Sequence, residues 1–149
     1  MIGFRIRKAT RADVAAILKL EQNFSTDRMS RRSVIRLIRV SSAHVVLSQS
    51  KNEILGALVL LTRRNSRVAR IYSVVVDPRA RGAGLGRALM QNAEREARKR
   101  ACHSMSLEVR MNAHAARALY RKLGYRELTR FPEYYEDKAG ALRLGKLLT

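Results

Sequence analysis

A glycine-rich turn at residues 81–86, with the sequence RGAGLG, constrains this chain more than any other feature. It follows a run of valines that Asp77-Pro78 ends, because proline cannot donate to a strand ladder. An apolar pattern typical of a helix begins directly after the turn. Free N–H groups and the helix dipole then point toward any ligand at the turn. The unit therefore predicts an α/β fold with an anion site.

Several ligands fit such a turn, and the spacing of the glycines separates them. Arg81 and Arg87 flank the turn and add charge that would hold a diphosphate. A Walker A loop requires Lys-Ser or Lys-Thr after its last glycine, and neither follows here. A dinucleotide site requires G-x-G-x-x-G and a carboxylate about 20 residues on; Glu108 lies near that distance, but the spacing here is G-x-G-x-G. The dinucleotide stays an alternative, as does a tight turn without a ligand.

Hydrophobic periodicity predicts a mixed, mostly antiparallel sheet with about four helices, in a single domain of residues 1–149. The predicted strands cover residues 2–6, 44–47, 54–61, 68–76 and 104–110, with two more around a loop at 132–140. The predicted helices cover residues 10–23, a segment that Ser30 caps, residues 85–100, and a short segment that Asn112 caps and Gly124 closes. The strands at 44–47, 54–61 and 68–76 are expected to be central and antiparallel.

The composition is strongly basic, with 31 Lys and Arg against 12 Asp and Glu and a formal charge of +19. Residues 28–51 are rich in arginine and contain no acid. Such a field attracts anions such as phosphates. No helix-turn-helix, zinc-finger or aromatic RNA-binding pattern accompanies the charge, so nucleic acid is expected to bind only non-specifically. A solvated basic surface is the simpler interpretation.

Membrane, export and metal functions find no support in the sequence. The longest apolar run, residues 54–61, is too short to span a bilayer, and basic residues interrupt the N-terminus before an export signal forms. We therefore expect a cytoplasmic protein. Cys102 is the only cysteine, which excludes an internal disulfide. His44, His103 and His114 lack the spacing of metal ligands, so no metal site is predicted.

Three segments resemble, in matching order, the motifs of one enzyme family. They are VVVDPRARGAGLGRAL at residues 74–89, LEVR at 107–110 and AARALYRKLGY at 115–125. The first resembles the acetyl-CoA motif of the GCN5-related N-acetyltransferase (GNAT) family, Q/R-x-x-G-x-G/A. The other two look like its ribosomal-protein N-terminal acetyltransferase (RimI-like) branch. The predicted order of strands and helices is similar to this family over essentially the whole chain.

The resemblance implies how acetyl-CoA would bind as cosubstrate. In this family a bulge splays the strand before the turn from its central neighbour, and the pantetheine arm enters the gap. The implied contacts are the backbone of Val74, Val75 and Val76 for pantetheine, and the turn residues Arg81, Gly82, Ala83, Gly84, Leu85, Gly86 and Arg87 for the pyrophosphate.

The resemblance also implies an acid–base pair. Acetylation of an amine needs a neutral amine and a thiolate that takes up a proton. Glu108 would receive the amine proton and Tyr120 would protonate the CoA sulfur, because their spacing equals that of the pair in RimI-like enzymes. The residues alone leave other roles open: Glu108 could pair with Arg110 or another arginine, and Tyr120 could fill the core. The family often has an asparagine where Ala113 stands, so Asn112 is expected to cap a helix.

Tyr134 and Tyr135, followed by residues 141–144, resemble the tyrosine loop by which N-terminal acetyltransferases bind the first residues of their substrate. We therefore expect acetyl transfer to a primary amine, with the N-terminal α-amine of a protein or peptide as the first choice. Two other classes stay open: acetylation of a small amine such as a polyamine or antibiotic, and a non-catalytic module that binds acyl-CoA or RNA. Because dimerisation is common in the family, the resemblance is compatible with a homodimer as well as a monomer.

Overall fold

The structure, a computed structural model, describes residues 3–24 and 27–149. Its strands are β1 (Arg5–Lys8), β2 (Ala43–Ser50), β3 (Glu53–Leu61), β4 (Val68–Val76), β5 (Ser104–Arg110), β6 (Arg126–Phe131) and β7 (Ala141–Leu147). Its α-helices are α1 (Val14–Glu21), α2 (Arg31–Arg39), α3 (Leu85–Lys99) and α4 (His114–Lys122), with 3-10 turns at Arg11–Asp13 and Pro78–Ala80. Within the described ranges, no helix combines the length and the apolar character that a bilayer crossing requires.

The strands form one mixed sheet in the order β1-β2-β3-β4-β5-β7-β6. Neighbouring strands are antiparallel except β4 and β5, which run parallel. The predicted α/β fold, with a mostly antiparallel sheet and about four helices, is therefore confirmed. The strands β2, β3 and β4 are central and antiparallel, as the sequence predicts.

Local signals explain where most of the helices begin and end. Ser30 caps α2, since its Oγ accepts from the Ser33 N–H at 3.1 Å. Gly124 follows α4 with φ +96°, a left-handed conformation that terminates helices and that glycine adopts without strain. The cap predicted at Asn112 is wrong: Ala113 is the N-cap of α4 and makes no side-chain hydrogen bond to the helix.

Two predicted segments fall partly outside the described residues. The first strand was expected at residues 2–6, but Ile2 is not among the described residues and β1 begins at Arg5. The polar turn expected at residues 24–29 includes residues 25 and 26, which also lie outside.

The sheet separates two apolar cores, because successive side chains of a strand point to opposite faces. Val46 of β2 joins a core with α3 that contains Leu89, whereas Leu47 joins a core with α1 and α2 that contains Ile17 and Val34. Burying each such side chain contributes roughly 1.5–3 kcal/mol. The helices thus cover both faces of the sheet around its central strands.

The central strands β4 and β5 part along their length, as the predicted splayed pair requires. Tyr72 is an extra residue of β4, since Ser73 pairs with Val59 while Ile71 pairs with Leu60. Such a bulge bends a strand and increases its twist. The parallel pairing of β4 with β5 ends at Ile71 and Leu107, although β4 continues to Val76. A gap therefore opens between the strands in the middle of the sheet.

Candidate active site

A cavity of about 400 Å³ occupies the gap between β4 and β5. Its walls come from these two strands, from α4, from the corner after α1 and from the loop before β7. The polar side chains that face it include Glu21, Ser73, Glu108, Tyr120, Tyr134 and Tyr135. The structure thus brings both predicted catalytic residues and both predicted substrate-binding tyrosines to one cavity.

Glu108 is the first residue of β5 beyond the last pair with β4, and only 6% of its side chain is exposed. Arg70 donates to its Oε1 from Nε at 2.9 Å and from Nη2 at 2.6 Å. Arg143, its cross-strand partner on β7, donates to Oε2 at 2.9 Å. Two guanidinium groups therefore fix the orientation of this carboxylate. A substrate that donates to Glu108 would share its oxygens with these arginines. Glu108 therefore pairs with arginines, as the alternative interpretation expected, but the partners are Arg70 and Arg143 and not Arg110. It also lines the cavity, so the two interpretations hold together.

Tyr120 is buried in α4 and lines the same cavity. Its ring packs edge-on against Tyr125, with centroids 6.0 Å apart. Burial, and secondarily the charge of Tyr135, raises the pKa of Tyr120 above its ordinary value. Its hydroxyl makes no hydrogen bond to the described residues. Tyr120 is therefore protonated at neutral pH, and no described residue accepts a hydrogen bond from its hydroxyl. Both properties suit a proton donor.

Glu21, at the end of α1, is a third candidate that the sequence analysis missed. Only 2% of it is exposed. One oxygen accepts from the Met29 N–H at 2.8 Å and the other from the Ser73 hydroxyl at 3.1 Å. Burial raises the pKa of Glu21, against the opposing effect of these hydrogen bonds. A signal was available, since Glu21 follows Ile17 by one helical turn and so lies on the apolar stripe of α1.

Tyr134 and Tyr135 lie in the loop before β7 and close one side of the cavity. Their rings meet edge-on at 5.0 Å. Burial raises the pKa of Tyr135 to about 12, although the Arg110 guanidinium, 4.3 Å from the ring centroid, opposes the shift. Arg110 also pairs with Asp137 at 2.9 Å and with Asp27 at 3.5 Å. It therefore ties the tyrosine loop to the corner between α1 and α2, across the mouth of the cavity.

The glycine turn lies outside the lining of this cavity, at the other end of β4. Gly82 and Gly84 have φ +83° and +84°, and a Cβ atom on either would meet open space. Among the described residues, the peptide N–H groups of residues 82–87 find no hydrogen-bond acceptor, because the first helical bond runs from Ala88 to Gly84. These donors and the exposed Arg81 are the groups that the sequence analysis predicts to bind a diphosphate.

Two turn residues have a second, structural reason for their identity. Leu85 is buried in a small core with Leu55 and Ala80, so only its backbone can face a ligand. A Cβ atom on Gly86 would lie 3.2 Å from Leu119, and this glycine lets α3 approach α4. The absence of a side chain at Gly82 and Gly84 matters for the backbone, whereas at Gly86 it matters for packing.

The backbone groups of the three predicted pantetheine contacts, Val74, Val75 and Val76, point in two different directions. Asp77 donates to the Leu55 carbonyl of β3 at 2.8 Å. Peptide groups alternate along an antiparallel ladder, so those of Val75 also face β3 and those of Val74 and Val76 face the opposite side. On that side β4 has no strand partner beyond Ile71 in the part of the chain that the structure describes. Main-chain pairing with an extended ligand is thus open to Val74 and Val76.

Metal ligation receives no support from the geometry. Within residues 3–24 and 27–149, no three His, Cys, Asp or Glu side chains converge where they could hold an ion. The polar groups of the cavity instead offer a hydroxyl donor, two carboxylates and fixed guanidinium groups, which suit proton transfer between two organic substrates.

Comparison with known proteins places the chain in a family. Residues 13–125 match the model of the acetyltransferase (GNAT) family. Ribosomal protein bS18-alanine N-acetyltransferase of Escherichia coli is 40% identical over 72 residues, which are 48% of this chain and 49% of that protein. Glucosamine 6-phosphate N-acetyltransferase of Trypanosoma brucei brucei is 34% identical over 87 residues, 55% and 57% of the two chains. The chain spans about half the length of the curated relatives it matches.

A solved structure agrees over the whole length. The crystal structure of Ard1 from Thermoplasma volcanium superposes with a TM-score of 0.90 and 26% identity, covering 99% of both chains. The family match covers the strand–turn–helix unit, the parted strands and α4. The chain therefore belongs to the acetyltransferase (GNAT) family.

Proposed function

We propose that this chain is an acetyl-CoA-dependent N-acetyltransferase, acting as one domain on the N-terminal α-amine of a protein or peptide. The observation that carries the proposal is the parting of β4 and β5, which opens a cavity between Tyr120 and two carboxylates in a member of an acetyltransferase family. A proton donor and proton acceptors thus face the same space. This arrangement is what transfer of an acyl group between sulfur and nitrogen needs.

The unpaired N–H groups of the glycine turn fit the pyrophosphate of acetyl-CoA, with Arg81 and Arg87 as exposed cationic neighbours. The main-chain groups of Val74 and Val76 would pair with the pantetheine arm, which leads from the turn toward the cavity. One N–H of this strand would donate to the thioester carbonyl as negative charge develops on its oxygen. Each of these contacts uses the backbone, so it needs a conformation more than a side chain.

The chemistry balances with the groups at hand. The amine nitrogen attacks the thioester carbonyl, a C–N bond forms, and the C–S bond breaks. An ammonium group loses two protons: one leaves before the attack through Glu108, directly or by way of water, and the other leaves the nitrogen after the attack and passes to solvent. Tyr120 gives its own proton to the departing sulfur. Tyr120 regains its proton from solvent. Glu21 is the second carboxylate at this cavity and stands by as an alternative acceptor.

An α-amine suits this site better than a lysine side chain. At pH 7 an α-amine with pKa near 7.8 is neutral about one time in seven, whereas a lysine near 10.4 is neutral about once in 2,500. Tyr134 and Tyr135 border the cavity where a peptide would enter. Relatives named for a ribosomal protein alanine support a protein acceptor. The exposed Glu133 and Glu136 nearby favour a basic residue after the first position.

A small amine is the second candidate, because one relative is named for glucosamine 6-phosphate. Arg110, which lines the cavity, and Arg143, which contacts Glu108, would attract a phosphate on such a substrate. The ion pairs that already occupy both guanidinium groups favour the peptide.

The deciding experiment measures kcat/KM with acetyl-CoA for a basic peptide with a free N-terminus, the same peptide with a blocked N-terminus and an internal lysine, an acidic peptide, and glucosamine 6-phosphate. We expect the free basic peptide to react fastest. Equal rates for the blocked peptide would contradict the α-amine assignment, and a faster sugar phosphate would select the second candidate.

Binding of the cosubstrate is tested separately by the melting temperature. Acetyl-CoA at 100 times its dissociation constant should stabilise the fold by about 2.7 kcal/mol, whereas NAD and ATP should do much less. Because acetyl-CoA and unfinished proteins occur together in the cytoplasm, that compartment is part of the proposal, and cell fractionation tests it.

A further inference from the structure

We propose that the exposed face of α2 is a docking surface for the phosphate backbone of RNA, which would hold an RNA-bound protein acceptor beside the cavity. This inference rests on the proposed function for its second half, the delivery of an acceptor. Its first half, binding of RNA, is independent of any acetyl transfer.

The charge of α2 is segregated on one side of the helix. Its sequence, RRSVIRLIR, contains no acid and no lysine. Val34 and Leu37 are buried against the sheet, so the apolar side of the helix is not available to enter a lipid surface. The exposed side carries Arg31, Arg32, Arg36 and Arg39. This basic amphipathic helix is therefore a surface for an anionic partner in water.

These four arginines are uncommitted within the protein. Among the described residues, none of them has an ion pair or a side-chain hydrogen bond. Most acids, in contrast, already contact basic side chains: Asp13, Asp27, Glu53, Asp77, Glu94, Glu96, Glu108, Glu127 and Asp137. The excess of 31 basic over 12 acidic residues thus leaves α2 without internal compensation.

The basic surface extends beyond the C-terminal end of α2. Arg100, at the end of α3, donates to the Ser41 carbonyl at 2.9 Å and to the Thr62 hydroxyl at 3.1 Å. These bonds hold the ends of α2, β3 and α3 together. Arg63 and Lys99, which adjoin them in sequence, are exposed at the same corner. A chain of phosphates could therefore follow positive charge from α2 onto this corner.

The N-terminal end of α2 adjoins the mouth of the cavity. Met29 lines the cavity and is fixed there by its bond to Glu21. Arg31 follows Met29 by two residues, and two residues span at most about 7 Å. A polyanion along α2 would thus run up to the place where a peptide enters.

Guanidinium groups favour RNA over an acidic protein. Their planar donors match phosphate oxygens in a bidentate manner, and arginine is the residue preferred for phosphate recognition. Arg32, Arg36 and Arg39 follow one another on one side of α2 over about 10 Å, enough to contact more than one phosphate. The helix presents no aromatic side chain for stacking on bases, so the contacts are with the backbone. RNA rather than DNA is chosen because relatives are named for a ribosomal protein.

The first test measures binding of the whole chain to a labelled RNA hairpin between about 50 and 200 mM salt. The variant Arg32→Gln/Arg36→Gln/Arg39→Gln should bind at least about tenfold more weakly, and the slope of log affinity against log salt should fall by about three. The matched control, Arg121→Gln/Lys122→Gln/Arg126→Gln, removes the same charge from exposed positions elsewhere. Equal losses in the two variants would overturn the proposal, as would equal or tighter binding of duplex DNA or polyglutamate.

The second test measures acetylation by these variants. With a short free peptide the α2 variant should keep the kcat/KM of the parent, because none of its changes touches the cavity. With a basic protein acceptor bound to RNA, its rate should fall about tenfold while the control keeps its rate. Loss on the free peptide as well would contradict a docking role. Failure of the parent to acetylate any peptide would reject the proposed function and leave the RNA result standing.

Discussion

The two ends of the gap between β4 and β5 are built from different materials. At the end where we propose that acetyl-CoA binds, called the donor end below, the glycine turn offers a row of peptide N–H groups, two left-handed glycines and open space. At the end where we propose that the amine acceptor binds, called the acceptor end below, Glu108 is held between Arg70 and Arg143, and Arg110 joins Asp27 to Asp137. The donor end is thus main chain, and the acceptor end is a network of charged side chains.

The difference indicates which end is general and which is particular to this chain. A site made of main-chain groups depends on conformation more than on side-chain identity, because any sequence that allows the conformation provides the same N–H groups. The family match, residues 13–125, contains the whole donor end. Tyr134, Tyr135 and Arg143 lie beyond it. We therefore expect the tyrosine loop and Arg143, which the family model does not cover, to contribute most to the choice of acceptor.

The largest effect is expected at Tyr120, which lines the cavity between the two ends. Tyr120→Phe should lower kcat by about 10²–10⁴, the usual contribution of a proton-transfer group, while the affinity for acetyl-CoA stays nearly the same. Steady-state kinetics together with calorimetric titration of acetyl-CoA measures both quantities.

Tyr125→Phe is the matched control for this change. Tyr125 is also buried, but its hydroxyl donates to Glu94 at 2.9 Å, away from the cavity. Tyr125→Phe should lower the melting temperature and leave kcat close to that of the parent. Full activity of Tyr120→Phe across the pH range would return Tyr120 to a purely structural role.

The contrast between the ends also explains what the sequence could predict. The strand Val68–Val76, the glycine turn and the alternation of Met105, Leu107 and Val109 are local patterns, and the structure places all of them as expected. Glu108 was expected on the polar face of its strand, but its partners Arg70 and Arg143 are 38 and 35 residues away along the chain. Only the pairing of β5 with β7 and the register of β4 bring these three together, and no local pattern encodes that register.

A smaller but still large loss is expected at the carboxylates, and it identifies the base. Glu108→Gln should lower kcat about a hundredfold, and Glu21→Gln about tenfold or less. Burial raises the pKa of Glu21 from the 4.5 of an exposed glutamate, so its ionised form is penalised in the fold. Relative to Glu21→Gln, the parent should therefore lose stability as pH rises from about 4.5 toward neutrality. Melting temperatures of both proteins over this range check the sign.

The same two variants distinguish the roles of the carboxylates. If the acid limb of the kcat/KM profile disappears in Glu21→Gln and survives in Glu108→Gln, then Glu21 is the base and Glu108 only positions the arginines. The opposite pattern supports the assignment made above.

Binding at the donor end should be weakened by a substitution that disturbs the backbone conformation. Gly84→Val forces a β-branched residue to φ +84°, which costs on the order of 1–3 kcal/mol, and acetyl-CoA should bind about ten- to a hundredfold more weakly. Gly124→Val is the matched control, because Gly124 also has a positive φ, +96°, but lies at the end of α4. A Cβ atom there would make only ordinary contacts with Lys146. It should reduce the melting temperature and leave acetyl-CoA affinity unchanged. Equal affinity losses in the two would show that the turn is not a special site.

The smallest effect is expected at Arg110, whose side chain and acidic partners are partly solvated. Arg110→Gln removes the link between the tyrosine loop and the corner after α1, together with the cation–π contact to Tyr135. Exposed ion pairs and cation–π contacts contribute about 0.2–1 kcal/mol each. The KM for the peptide should therefore rise about three- to tenfold, with kcat and the KM for acetyl-CoA within about twofold of the parent.

Arg130→Gln provides the matched control, since Arg130 loses an ion pair with Glu127 on the surface of β6, outside the cavity. The difference between the two variants should shrink in concentrated salt, because screening already weakens the Arg110 pairs in the parent. If Arg110→Gln changes the KM for acetyl-CoA instead, the two ends of the gap are coupled through β5 and the division between them fails. If it changes neither KM while the melting temperature falls, the link stabilises the loop without helping to bind the acceptor.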